Sequence, residues 1–178
     1  MKQKPFKSIG SIGMVIIAAI LLVSHFHIKD FCVIIPDVLY TSGQPRNMDY
    51  MRLLYKYHLS TIVNVRPATE HKEKNWRNEE LVWTKEHAVK YVEIPFEKQN
   101  YLPNRQTQDA FFSIMGDKEN LPVLLHGGGD DKRVAMLTAA WLRKKQGFSV
   151  EDALAQAKKI IDDRPLTQDE INFIRNLQ

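Results

Sequence analysis

The sequence predicts an α/β domain with a mostly parallel central sheet flanked by helices, preceded by one membrane-spanning helix. Three observations carry that expectation. Short β-branched or apolar runs alternate with longer stretches of helical periodicity, which is the pattern of strands joined by helical crossovers. The runs are closed by proline or glycine, as at Pro67, Pro95 and Gly127. Residues 9–28 form an uninterrupted apolar stretch with no acidic or basic residue apart from His25 and His27.

That stretch is about 20 residues, enough at roughly 1.5 Å rise per residue to span the hydrocarbon of a bilayer. Lys2, Lys4 and Lys7 precede it within a basic segment, 1–8. The positive-inside rule then puts the N-terminus in the cytoplasm and the following domain on the extracytoplasmic side. A cleaved secretory signal is the rival reading, leaving a secreted or periplasmic protein, but Val23-Ser24-His25-Phe26-His27 offers no small-x-small cleavage site. Residues 29–37 read as a linker and 38–178 as the domain.

Within the domain, Val38-Leu39-Tyr40 is a brief strand running into the turn-rich Thr41-Ser42-Gly43-Gln44-Pro45. Asn47 caps a helix from Met48 to His58, with Met51, Leu54 and Tyr55 on one face. Ser60 to Val65 is a buried strand, and Asn78 to Ala88 a charged helix. Val89 to Ile94 is the next strand, Arg105 to Met115 a helix and Pro122 to His126 a third buried strand. A helix from Val134 to Lys145 follows, then two capped helices. Ser149-Val150-Glu151-Asp152 starts one, and Thr167-Gln168-Asp169-Glu170 is a capping box for the other.

A chain of 178 residues with 44% hydrophobic and 26% charged residues builds one globular domain with a real core. The net charge of +4 is not gathered into a basic stripe, which argues against nucleic acid as a partner. The single cysteine, Cys32, excludes an internal disulfide and reads as a small hydrophobe or a lipidation site. Trp76, Trp83 and Trp141 read as core or helix-face residues. Arg66, just after a strand, either orients a loop or makes a structural ion pair.

The chemistry-bearing stretch is Leu124-Leu125-His126-Gly127-Gly128-Gly129-Asp130-Asp131-Lys132-Arg133. A strand, a glycine-rich loop and a helix entrance let backbone N–H groups converge on an anion, with the helix dipole behind them. Arg133 can grip two oxygens of that anion with its planar fork. The alternative is a tight turn with Arg133 in a surface ion pair. His126-Gly127-Gly128-Gly129 also matches the oxyanion-hole string of lipases, but no Gly-x-Ser-x-Gly elbow accompanies it. A metal on His126, Asp130 and Asp131 has no diagnostic spacing, so no metal site is assigned, and both aspartates read as solvated loop residues.

The same stretch resembles the phosphate loop of the cysteine-based tyrosine and dual-specificity phosphatases, whose signature is His-Cys-x5-Arg. Tyr40-Thr41-Ser42-Gly43-Gln44-Pro45 and Leu59 to Pro67 are similar to the early "R-S-x-Q-P" and "I-I-N-L-R" landmarks of the bacterial and fungal branch, and the likeness runs from Val38 to Gly147. The resemblance implies a phosphatase-like fold and a phosphate site made by residues 126–133: His126, Gly127, Gly128, Gly129, Asp130, Asp131, Lys132 and Arg133. It implies no cofactor, and it places Glu97 nearest to the family's general acid. It also exposes departures. Gly127 stands where the nucleophilic cysteine belongs, Val134 where a helper hydroxyl belongs, and Asp130 where a glycine belongs.

Three readings follow. One is a membrane-anchored pseudophosphatase that binds a phosphorylated protein or small phosphate ligand through its loop. The second is an active phosphohydrolase using Asp130 or Asp131 in place of a thiol. The third is an interaction module without an anion site, since like charges about 5 Å apart at an effective dielectric of about 20 cost around 3 kcal/mol.

Overall fold

The computed structural model describes residues 28–46, 48–71, 75–96, 101–129, 131–162 and 164–177. The basic segment 1–8, residues 9–27 of the expected span, Asn47, Glu97 and Asp130 lie outside the described residues. Among the described residues no helix is long and apolar enough to cross a membrane.

Five strands form one sheet: β1 (Cys32–Ile35), β2 (Leu39–Ser42), β3 (Thr61–Asn64), β4 (Lys90–Glu93) and β5 (Val123–His126), in the order β1-β2-β5-β3-β4. β2, β5, β3 and β4 run parallel, and β1 adds to the edge antiparallel to β2. The helices are α1 (Met48–Tyr57), α2 (Trp76–Glu86), α3 (Arg105–Gly116), α4 (Lys132–Gln146), α5 (Val150–Ile160) and α6 (Gln168–Asn176). The sheet is mixed but mostly parallel, and the helices flank it as expected.

Strand side chains alternate between faces, so neighbouring apolar residues feed different cores. Tyr40, Ile62 and Leu124 point into a smaller cluster with Tyr50 and Leu53 of α1 and Trp83 of α2. Leu39, Val63, Val123 and Leu125 point into the larger one, with Phe111 of α3, Met136 and Leu137 of α4 and Ala157 of α5. A strand buried on both sides needs no polar alternation, which is why β3 and β5 read as continuous runs. α4 is the central helix, buried continuously from Arg133 to Leu142. Gly147, in the left-handed region at φ 68°, closes it. The Ser149 cap and the Thr167–Glu170 capping box both form.

Two expectations are corrected. The supposed linker 29–37 contains β1, and Ile28, placed at the end of the membrane segment, is buried in the smaller core. The domain therefore starts well before residue 38. Phe31 to Ile35 is apolar and β-branched like the segment upstream, so the short interruption Lys29-Asp30 was too weak a signal to separate a strand from a tail. The buried face of α1 is also rotated. Tyr50 and Leu53 are buried, whereas Met51 and Tyr55 are exposed. Cys32 sits half-buried on the edge strand, where burial raises its thiol pKa despite the nearby Lys159, so it is a poor nucleophile.

Candidate phosphate-loop site

Parallel sheets of this kind place binding loops at the carboxyl ends of their strands. Three such ends meet here: Ser42 of β2, Asn64 of β3 and His126 of β5, whose residues pair in register. The loop 127–131 leaves β5 and enters α4. Gly127 N–H donates to the Ser42 carbonyl at 3.4 Å. Gly129 has φ 117°, a conformation that favours glycine, and a Cβ there would lie 2.7 Å from Lys29 Nζ. The turn Lys29-Asp30 is thus laid across the loop, and Gly43 N–H fastens it through the Lys29 carbonyl at 2.8 Å.

Asp131 caps α4 by accepting from Arg133 N–H at 3.0 Å. Its carboxylate then turns back over the loop. Oδ1 accepts from Arg133 Nε at 2.9 Å, and Oδ2 accepts from Arg133 Nη2 at 2.6 Å and from Gly128 N–H at 3.1 Å. An oxyanion in such a cradle would call on the same kinds of donor, a backbone N–H of the loop and the arginine fork. Asp131 is 6% exposed, so it is no solvated loop aspartate. That expectation is corrected: Asp131 is the counter-ion of Arg133.

Arg133 is fully buried, and its fork does not face an open hollow. Nη1 donates to Glu70 Oε1 and to the Phe96 carbonyl, both at 2.9 Å, and Nη2 donates to Glu70 Oε2 at 3.0 Å. With the two bonds to Asp131, each of the five guanidinium N–H groups has an acceptor. Glu70 is held in turn by Arg66, which reaches its carboxylate at 3.4 Å and its carbonyl at 2.8 Å. Arg66 also donates to Gln44 Oε1 at 2.8 Å, so it both braces the site and makes a structural ion pair. Two arginines and two carboxylates form a charge-balanced cluster.

Desolvation would raise the pKa of Asp131, but the hydrogen bonds and charge of Arg133, with the N–H groups of Gly128 and Arg133, outweigh it and hold the carboxyl below its ordinary value. Desolvation opposes the charge of Arg133 likewise, and its two carboxylate partners raise its pKa regardless. A depressed carboxyl contributes stability that is whole above about pH 4, its unfolded pKa, and is lost as pH falls through the folded value. In Asp131→Asn the unfolding free energy, followed by urea denaturation from about pH 5 to about pH 2.5, therefore falls less steeply with acid. An unchanged slope would mean that Asp131 is not ionised against Arg133.

The remaining candidates are dispersed. His126 is fully buried with its Nε2 3.2 Å from Glu80 Oε1, and only its Nδ1, 3.4 Å from the Gly127 carbonyl oxygen, touches the loop. Tyr50 donates to Glu80 Oε1 and Asn64 to Glu80 Oε2, so this corner is a polar brace between β5, β3, α1 and α2. Burial first, then Glu80, raises the pKa of Tyr50 and Tyr91 beside it. Lys132 donates to Glu170 Oε2 at 3.0 Å and ties α4 to the capping box of α6 instead of reaching the loop. Among the described residues no group of three or more His, Cys, Asp or Glu side chains is assembled to hold a metal ion. Val134 is buried, as a core residue of α4.

The most consequential geometry is at Gly127. A Cβ built there would lie 2.2 Å from Asp131 Oδ2, 2.6 Å from its Cγ and 2.7 Å from its Cβ. The space that a side chain at 127 would need is filled by the side chain at 131.

Sequence reasoning missed Glu70, Gln44 and Glu80. Two of them left traces: Gln44 stands in the stretch similar to R-S-x-Q-P, and Glu70 completes the Arg66-x-x-x-Glu70 spacing of an i,i+4 ion pair.

The family is decided by a model described as "DSP-PTPase phosphatase fused to NAD+ Kinase", which matches residues 36–176. The chain belongs to that family. Among solved structures it is similar to the core catalytic domain of the PP-IP phosphatase Siw14 from S. cerevisiae, solved with citrate. That pair is 18% identical with a TM-score of 0.70, over 84% of this chain and 86% of that one. It is similar also to the active form of Tk-PTP, at 17% identity and a TM-score of 0.63, over 83% and 95% of the two chains. TpbA of P. aeruginosa, solved with phosphotyrosine, is 18% identical with a TM-score of 0.59, over 83% of each chain. At these identities the structures share the fold alone. No curated protein matches the sequence. The dual-specificity phosphatase-like fold inferred from the motif order is thus the fold of the chain.

Proposed function

We propose that this chain is a catalytically silent member of its family, tethered to a membrane through residues 9–27, with its domain serving as an interaction module. A single observation carries the reading. The carboxylate of Asp131 lies where a side chain at 127 would go and takes the Gly128 N–H and the Arg133 Nε–H and Nη2–H that an incoming phosphate would use. No thiol stands in the nucleophile's place, so the family's covalent route has no sulfur to attack with. Arg133 has no N–H to spare for a ligand. This favours the third reading of the sequence over a pseudophosphatase that holds a phosphorylated partner in its loop. The route through Asp131 as nucleophile is disfavoured as well, because that carboxylate is buried and fully engaged.

Purified protein is expected to show no turnover of para-nitrophenyl phosphate, and calorimetric titration to show no saturable binding of phosphate or vanadate with Kd below about 1 mM. Saturable binding would mean that Asp131 yields the cradle, returning the loop to the role of a phosphate receptor. Hydrolysis that disappears in Asp131→Asn would sink the silent reading outright.

A further inference from the structure

Helix α1 is apolar at two opposite poles. At about 3.6 residues per turn, Tyr50, Leu53, Leu54 and Tyr57 fall on one side, and Met48, Met51 and Tyr55 fall within about 60° of one another on the other. The first side packs into the smaller core. The second faces outward, with Met48 52%, Met51 39% and Tyr55 68% exposed. Burial of the core thus leaves a second apolar stripe without a partner in the described fold, and such stripes mark interaction surfaces.

We propose that the Met48–Met51–Tyr55 stripe rests on the surface of an anionic lipid bilayer. The proposal rests on the membrane tether described above. Residues 1–27 precede Ile28, and Ile28 packs in the same cluster as Tyr50 and Leu53. A chain advances at most about 3.6 Å per residue. A bilayer that holds the apolar segment up to residue 27 is therefore within a few residues' reach of α1, with no linker to set the domain apart. The charges around the stripe fit negative headgroups. Lys56 is exposed and Arg52 half-buried on the same helix, and Arg46 just before it is exposed. Against these stands Asp49, which accepts from the Arg46 N–H. Cations flanking bulky apolar residues, with a tyrosine whose ring is apolar and whose tip is polar, are the composition of helices that lie in the lipid interface.

The test uses the full chain in phosphatidylcholine vesicles with or without phosphatidylserine, first shown to resist carbonate extraction. Cys32→Ser removes the native thiol, and Tyr55→Cys carries an environment-sensitive fluorophore. Glu151→Cys, exposed on α5, carries the same dye as a control. Brominated lipids are expected to quench the dye at 55 at least about twofold more than at 151, and more strongly when phosphatidylserine is present. Equal quenching at both positions in a carbonate-resistant chain would overturn the proposal while leaving the tether intact. A dye at 55 shielded from both lipid and water would overturn it in favour of the N-terminal segment or a second copy covering the stripe. A chain released by carbonate would remove the tether and this inference with it.

Discussion

Gly127→Cys is expected to yield an inactive protein that is also less stable by about 1–3 kcal/mol, the usual penalty for forcing side-chain atoms into filled space. A thiol at 127 alone is expected to fail because the new Cβ would meet the Asp131 carboxylate at 2.2 Å and, more stubbornly, the Asp131 Cβ at 2.7 Å. A carboxylate can rotate away, but a Cβ moves only with the backbone. Asp131→Ala would retain that atom, so the rescuing partner is Asp131→Gly. In Gly127→Cys/Asp131→Gly the thiol enters a site with loop N–H groups, a helix N-terminus and Arg133, surroundings that lower a thiol pKa below about 8.5. Turnover of para-nitrophenyl phosphate at least about tenfold above the single variant, equivalent to about 1.4 kcal/mol of barrier, is the expected gain. Activity in Gly127→Cys alone, with undiminished stability in urea, would show that Asp131 does not occupy that space.

Arg133→Ala is expected to cost about 3–5 kcal/mol of folding stability, among the largest single-residue effects in the domain. The guanidinium is fully buried and is the partner of Asp131 and Glu70 at 2.6–3.0 Å. Removing it leaves two carboxylates short of water and of charge compensation, together with an unpaired Phe96 carbonyl. Removing the whole cluster is different: Glu70→Leu/Asp131→Ala/Arg133→Met is expected to recover most of the loss, because the desolvation penalty disappears along with the attraction. Chemical denaturation of the single and triple variants separates the two cases. A surface-like loss below about 1 kcal/mol in Arg133→Ala would contradict the buried geometry.

Most of the fold was legible because its determinants are local. β3, β4 and β5 are short, β-branched or apolar, and closed by turn residues, and the helix caps at Ser149 and Thr167 are chemical signatures that form as written. β1 was not legible, since Cys32 to Ile35 continues the composition of the apolar segment before it, and only pairing with β2 distinguishes it. The inner face of α1 was misassigned because both of its sides satisfy a helical apolar spacing, and choosing between them needs the sheet beneath. At the site, Gly127 and Arg133 stood out by their positions in the motif. The role of Asp131 was hidden because charge counting treats it as a repulsive neighbour, whereas its N-cap geometry turns the carboxylate inward. Glu70 arrives from 63 residues away, and no spacing rule reaches that far.

The interlock between positions 127 and 131 also constrains how such a sequence can change with time. Two of the four glycine codons become a cysteine codon through one base substitution, so a chain with glycine at 127 looks close to gaining a thiol there. That first step instead leads into a crowded, weakened protein, and it becomes tolerable only after Asp131 has shrunk. The order of the two mutations would therefore matter, because the side chain at 131 resists any side chain at 127.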